Sequence, residues 1–174
     1  MEVLISAERI AARIDEIATE VSKMYKGKDV TVVGVLTGSL VFLADLVRRV
    51  DLPLQIGLLK ATSYQGTQST GVVKIDDSCL PNLAGRHVLL LDDILDTGRT
   101  ISVVADYLIK ERGAESVRTC VLLRKIGRQV VPFEPDLAGF EIPDRFVIGY
   151  GLDYNDEYRH LPFIGVLSES AIHA

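Results

Sequence analysis

The sequence predicts an α/β protein, a mostly parallel, doubly wound sheet flanked by helices. Residues 31–36 and 88–91 are short apolar runs without alternation, the pattern of strands covered on both faces. Between such runs lie stretches with apolar residues every three or four positions, the period of a helical stripe. The chain has 174 residues, 48% of them hydrophobic, which fill one core and not two ordinary domains, so residues 1–174 are expected to form a single domain.

The elements follow in order. From Ser6 onward Ile10, Ile14, Ile17, Val21 and Met24 mark one helical stripe, with Gly27 as the stop. Residues 31–36 make a strand, residues 38–50 a helix through Leu40, Leu43, Leu46 and Val47, and residues 54–59 a strand after Pro53. Residues 61–73, ATSYQGTQSTGVV, are polar with two glycines, and are expected to form a mobile loop that acts as a lid. Residues 88–91 form the most apolar strand, expected to stop at Asp92-Asp93. Thr100 then opens a helix with Ile101, Val104, Ala105, Leu108 and Ile109 on one face, ending at Gly113. Residues 117–123, 137–140, 146–150 and 163–167 read as further strands.

Composition removes several classes of function. Charged residues make up 25%, with 14 Gly and 6 Pro, so disordered, collagen-like and low-complexity chains are excluded. The formal charge of −5 supplies no cationic field for nucleic acid or an anionic membrane, and neither partner is expected. No apolar stretch approaches the ~20 residues of a membrane span, and the start lacks a signal-peptide pattern. Cys79 and Cys120 form neither a CxxC pair nor a cluster with the histidines, which fits reduced thiols and a cytoplasmic protein. His87, His160 and His173 are scattered and receive no role.

Chemistry concentrates in residues 88–100, VLLLDDILDTGRT. Thr97, Gly98, Arg99 and Thr100 can aim backbone amides and hydroxyls into one concavity at a helix start, where the helix dipole favours phosphate. Asp92 and Asp93 stand just before it, and paired carboxylates suit ribose hydroxyls or a hard divalent ion such as magnesium. A ligand with phosphate and sugar fits both. The same spacing also serves a solvated turn with Asp96-Thr97-Gly98 as an ordinary helix cap. Neither a Walker loop nor a dinucleotide fingerprint is present.

This segment resembles the phosphoribosyl pyrophosphate signature of type I phosphoribosyltransferases: apolar residues, two acids, two apolar residues, Asp-Thr-Gly and a final Thr. The opening VLISAERI, the turn VLTGSL and the stretch GFEIPDRFVIGYGLDYNDEYRHLPFIGVL are similar to the hypoxanthine-guanine branch of that family. The resemblance implies the type I phosphoribosyltransferase fold with a small hood formed by the chain ends. It also implies transfer of 5-phosphoribosyl from phosphoribosyl pyrophosphate to a 6-oxopurine base, with Mg2+, in a homodimer or homotetramer.

By position, the resemblance makes Asp96 the general base and wraps Asp96, Thr97, Gly98, Arg99 and Thr100 around the 5-phosphate. Asp92 and Asp93 would hold ribose and magnesium, with Asp153 as a further metal ligand. Lys125 would donate to the 6-oxo group, Phe146 would stack on the purine, and Val147 and Asp153 would read the base edge. Thr37, Gly38, Ser63, Tyr64 and Arg159 would face the pyrophosphate. Read without the family, Lys125 is a solvated strand end, Phe146 is core, and Asp153 and Arg159 are loop charges. Thr37 departs from the family, which usually carries a basic residue there, in a loop that often holds a cis peptide. One rival, RNA-binding regulation on the same fold, lacks support because Asp96 is acidic and no basic stripe is evident. Another, a phospho-accepting receiver, needs its acid pair near the first strand.

Overall fold

The computed structural model describes residues 1–64 and 72–167. In chain order the elements are β1 (Glu2–Ile5), α1 (Ala7–Met24), β2 (Val30–Leu36), α2 (Leu40–Val47), β3 (Leu54–Tyr64) and β4 (Val72–Asp76). After these come β5 (His87–Leu95), α3 (Arg99–Lys110), β6 (Ser116–Lys125), β7 (Leu137–Ile142), β8 (Val147–Ile148) and β9 (Ile164–Val166). Six strands form one sheet in the order β4-β3-β2-β5-β6-β7, parallel except for the β3–β4 pair. Strands β1, β9 and β8 form a small antiparallel sheet that joins both ends of the chain, the expected hood.

The unbroken apolar runs have their explanation in this layering. Successive strand residues point to opposite faces. Leu89 and Leu91 of β5 accordingly pack with Ile10, Ile14, Phe42 and Leu46 of α1 and α2, while Val88 and Leu90 pack with Ile101, Val104 and Leu108 of α3. With helices on both faces, alternation has no polar side to serve. Ile5, Val147, Ile164 and Val166 extend the α1–α2 cluster into the hood, which ties the hood to the body.

Helix α1 buries the stripe read from the sequence, and Ser6 caps it by accepting a hydrogen bond from the Arg9 amide at 3.4 Å. It ends at Met24, before Gly27. Helix α2 is shorter than its apolar period suggests, because Ser39 turns back to donate to the Val35 carbonyl at 2.6 Å and leaves residues 37–39 as a tight loop. Ile109, expected on the buried face of α3, is 46% exposed.

Three expectations need correcting. The strand through residues 88–91 does not stop at the acid pair: β5 continues to Leu95, with Asp92 paired to Val121 and Ile94 to Leu123. The neighbouring β6 supplies partners for the backbone, so carboxylates are carried on a strand. Residues 61–64 and 72–73, expected in a lid loop, instead form a hairpin in which Ser63 faces Val73 and Tyr64 faces Val72. This pair lies at the sheet edge, where one face meets solvent and polar residues are tolerated. The centre of the expected lid, residues 65–71, lies outside the described residues. Strand β8 spans only two residues of the expected 146–150 run, because Gly149, Tyr150 and Gly151 follow with φ of 93°, 50° and 100°.

The sheet order reverses beside β2: β3 lies on one side of it and β5 on the other. Loops leaving the carboxyl ends of β2 and β5 therefore diverge and leave a crevice, the usual ligand position in a doubly wound sheet.

Candidate active site

Both of those loops line one cavity of about 310 Å³. From β5 and the α3 start come Asp92, Asp93, Asp96, Thr97, Gly98 and Thr100; from the β2 loop comes Gly38; from the segment after β8 come Asp153 and Arg159. The loops meet closely: a Cβ at Gly38 would overlap the Asp93 carboxylate, and one at Gly151 would overlap the Gly38 carbonyl. Gly38 thus seats the acid pair, and Gly151 seats Gly38. The Leu36–Thr37 peptide bond is cis, as the family resemblance anticipates for this loop.

The acid pair is fixed by backbone. The Asp93 amide donates to Asp92 Oδ1 at 2.9 Å, and the Ile94 amide donates to Asp93 Oδ1 at 2.7 Å. Burial, and after it the neighbouring Asp93 charge, pushes the Asp92 carboxyl well above the usual carboxylate range. Burial likewise raises Asp93. Two carboxylates held together in a cleft and reluctant to ionise are a donor set in search of a cation or of hydroxyl donors.

The cap alternative for residues 96–98 holds in part: Gly98 is the N-cap and Thr97 attends the first amide, but Asp96 caps nothing. The N-cap of α3 is Gly98, with φ of 83° and no side-chain cap hydrogen bond. The Asp96 carboxylate pairs with Arg128, whose Nε donates to Asp96 Oδ1 at 2.9 Å. Thr97 Oγ1 accepts from the Arg99 amide at 3.4 Å. The first-turn amides of α3 and the Thr97 and Thr100 side chains therefore face a space that an anion fits. Arg99 is exposed and outside the cavity lining.

The remaining candidates divide. Lys125, at the end of β6, keeps only 13% of its side chain exposed and pairs with Asp144 at 3.4 Å. Phe146 is not core: it is 42% exposed, and its ring meets Tyr154 edge-on at 5.7 Å and 88°, so a ring face is open to stacking. Val147 is buried in β8. Arg159 Nη1 donates to the Gly151 carbonyl at 2.7 Å, and Nη2 pairs with Asp153 at 2.9 Å. Thr37 and Ser63 are not among the cavity-lining residues, Ser63 being exposed on β3; the side chain of Tyr64 lies outside the described residues.

Asp92, Asp93 and Asp153 are not gathered as a ready metal cage. Among the described residues no three His, Cys, Asp or Glu side chains cluster closely enough to hold a metal, and Asp153 is engaged by Arg159. Sequence reasoning also missed Asp144, Asp45 and the full part of Arg128. The Tyr150 hydroxyl donates to Asp45 of α2, anchoring the loop of Asp153 to the body. Such contacts join residues far apart in sequence and leave no local pattern. The one local signal was Arg128 standing three residues after Lys125.

Helix-start amides beside a half-buried acid pair, at the switch point of a doubly wound sheet, are the arrangement of a protein able to seat a phosphorylated sugar. Residues 4–155 match the phosphoribosyl transferase domain, and the chain belongs to that family. It is 42% identical over 169 residues to a hypoxanthine-guanine phosphoribosyltransferase of Streptococcus pneumoniae, spanning 97% of this chain and 93% of the relative. A namesake in Bacillus subtilis is 40% identical over 167 residues, spanning 95% and 92%. A crystal structure of a hypoxanthine phosphoribosyltransferase from Staphylococcus aureus superposes with a TM-score of 0.92 at 38% identity, covering 98% of this chain and 93% of that one.

Proposed function

We propose that the chain is an enzyme of purine salvage that moves the 5-phosphoribosyl group of phosphoribosyl pyrophosphate onto hypoxanthine, guanine or both, giving IMP or GMP and pyrophosphate. One observation carries the reading: the acid pair, the loop that opens α3 and Asp96 line a single cavity at the switch point. The family membership and the named relatives support the substrate class.

In this reading the bond between ribose C1 and the pyrophosphate oxygen breaks while a purine nitrogen bonds to C1. Positive charge grows on the sugar ring, and the carboxylates of Asp92 and Asp93 lie on the side that stabilises it. Asp96 takes the ring proton that the purine sheds. Amides of the α3 start hold the 5-phosphate, so the reacting carbon is positioned before the base arrives. Arg159 and the amides of Thr37 and Gly38 attend the departing pyrophosphate, with Ser63 and Tyr64 assigned to the same group. Lys125 donates to the 6-oxo group, Phe146 stacks on the ring, and Val147 and Asp153 read the opposite edge.

Mg2+ fits the donor set of the acid pair, whose oxygens are hard and whose mutual repulsion a cation would relieve. Asp92 and Asp93 would hold it, with substrate oxygens completing the shell and Asp153 joining once released from Arg159. Bound there, the ion would neutralise charge on the leaving pyrophosphate. Assembly as a homodimer or homotetramer in the cytoplasm belongs to the same proposal. Cys120, its thiol pushed up to about 12 by burial, is inert as a nucleophile.

The test is an initial-rate assay with phosphoribosyl pyrophosphate, Mg2+ and each of adenine, hypoxanthine, guanine and xanthine. Turnover with hypoxanthine or guanine and rejection of adenine are expected, because the 6-amino group would present a donor to Lys125. Equal rates with adenine would remove the 6-oxopurine assignment.

A further inference from the structure

Four charged side chains beside the α3 start form an open chain of three ion pairs. Asp96 Oδ1 meets Arg128 Nε at 2.9 Å, Arg128 Nε lies 3.7 Å from Asp144 Oδ2, and Asp144 Oδ1 meets Lys125 Nζ at 3.4 Å. The backbone holds them there. The Ile126 amide donates to the Ile142 carbonyl at 3.0 Å, which brings the turns after β6 and β7 together. The Val130 amide donates to the Thr97 carbonyl at 3.0 Å, which lays the Arg128 turn against the cradle. Arg145 then donates its amide to Pro143 at 2.8 Å, so Asp144 sits at the tip of a tight turn.

Two members of this chain, Asp96 and Lys125, are the groups assigned above to the purine, and in the protein alone both are occupied by partners that are not purine. We propose that Arg128 and Asp144 are exchangeable counter-ions of the purine subsite: Asp144 competes with the 6-oxo group for Lys125, Arg128 competes with the purine for Asp96, and the two pair with each other when a 6-oxopurine displaces them. The inference rests on the reading that Asp96 and Lys125 meet the base.

Charge balance gives the exchange its logic. The quartet has two acids and two bases, and a neutral purine adds no charge. Taking Lys125 and Asp96 away from their partners strands one carboxylate and one guanidinium already 3.7 Å apart. Neither is buried: 46% of the Arg128 side chain and 51% of the Asp144 side chain are exposed, so water covers the interval of exchange. Lys125 is the least exposed member, with 13% of its side chain open to solvent, and its ammonium gains from an acceptor in either state. Asp144 supplies it without the base, and the 6-oxo group supplies it with the base. A 6-amino purine cannot, so it leaves Asp144 in place. Arg128 and Asp144 are thus positioning residues, and they add discrimination by making every ligand that lacks a 6-oxo acceptor compete against a formed ion pair.

The test is equilibrium titration of the full chain with inosine 5′-monophosphate and, separately, adenosine 5′-monophosphate, which read the Lys125 side of the exchange because a nucleotide has already shed the ring proton that Asp96 takes. Asp144→Asn should bind the inosine nucleotide more tightly by about 2- to 5-fold, the worth of a half-exposed ion pair. Its affinity for the adenosine nucleotide should not change. Asp144→Glu, which keeps the competitor, should behave as wild type. Arg128→Gln should bind the inosine nucleotide more weakly, because Asp144 loses its other partner, and adding Asp144→Asn to it should restore tight binding. A purely structural Asp144 would weaken both nucleotides alike, and that result would overturn the proposal. So would unchanged inosine affinity in Asp144→Asn. If wild type itself binds the two nucleotides equally, the purine assignment of Lys125 fails first and takes the exchange with it.

Discussion

Asp92 shows what function costs at the scale of one residue. Its carboxyl is held beside Asp93 in the cleft, and burial raises its pKa in the folded protein. A carboxyl raised on folding contributes stability that is complete below its unfolded pKa and is lost as pH rises through the folded value. At neutral pH, without ligand, the raised Asp92 pKa therefore works against the fold. Asp92→Asn keeps the oxygen that accepts from the Asp93 amide and removes the charge. Calorimetry at pH 7 should show it melting above wild type, by roughly 2–4 °C for each ~1 kcal/mol of repulsion relieved. The gap should close as pH falls toward the ordinary carboxylate range, and ribosyl transfer should be lost. An Asp92→Asn protein melting below wild type at pH 7 would mean that the pair is already compensated.

At the scale of elements, the loop after β2 and the turn after β5 act as one unit because a missing side chain lets them touch. Gly38→Ala sets its methyl against the far end of the Asp93 side chain, not against backbone, so the carboxylate moves and the fold stays. The KM for phosphoribosyl pyrophosphate should rise about tenfold or more, since a small misplacement of an acid that positions substrate is costly. The melting temperature should stay within a few degrees, roughly, of wild type. A variant with wild-type KM would show that Asp93 does not need its present position. This unit also marks the border of what sequence reveals. Residues 88–91 were legible because burial on both faces writes a continuous apolar run. The extension of β5 through Asp92 to Leu95 was not, because main-chain pairing with β6 is independent of side-chain polarity. The β3–β4 hairpin stayed hidden for a related reason: an edge pair with alternating exposure tolerates Thr and Ser, and such residues read as loop. Phe146 illustrates the reverse, since hydrophobicity alone places it inside while the structure leaves its ring partly open.

For the whole molecule, the doubly wound sheet explains why residues scattered from Gly38 to Arg159 share one cavity. Strand order places the carboxyl ends of β2 and β5 side by side, and the hood, clamped to α2 through Tyr150 and Asp45, swings Asp153 and Arg159 over them. The acid pair, the loop that opens α3 beside it and the family membership were readable from residues 88–100 and their neighbours. The ion-pair chain through Arg128 and Asp144 was not, because it exists only once two turns after different strands are brought together. The central claim is that this crevice carries out ribosyl transfer with Asp96 as base. Pyrophosphate release from phosphoribosyl pyrophosphate and hypoxanthine, followed in wild type and in Asp96→Asn, tests it most directly. Turnover should fall by roughly two to four orders of magnitude in the variant, the worth of a positioned base, with substrate binding kept; turnover equal to wild type would contradict Asp96 as the base.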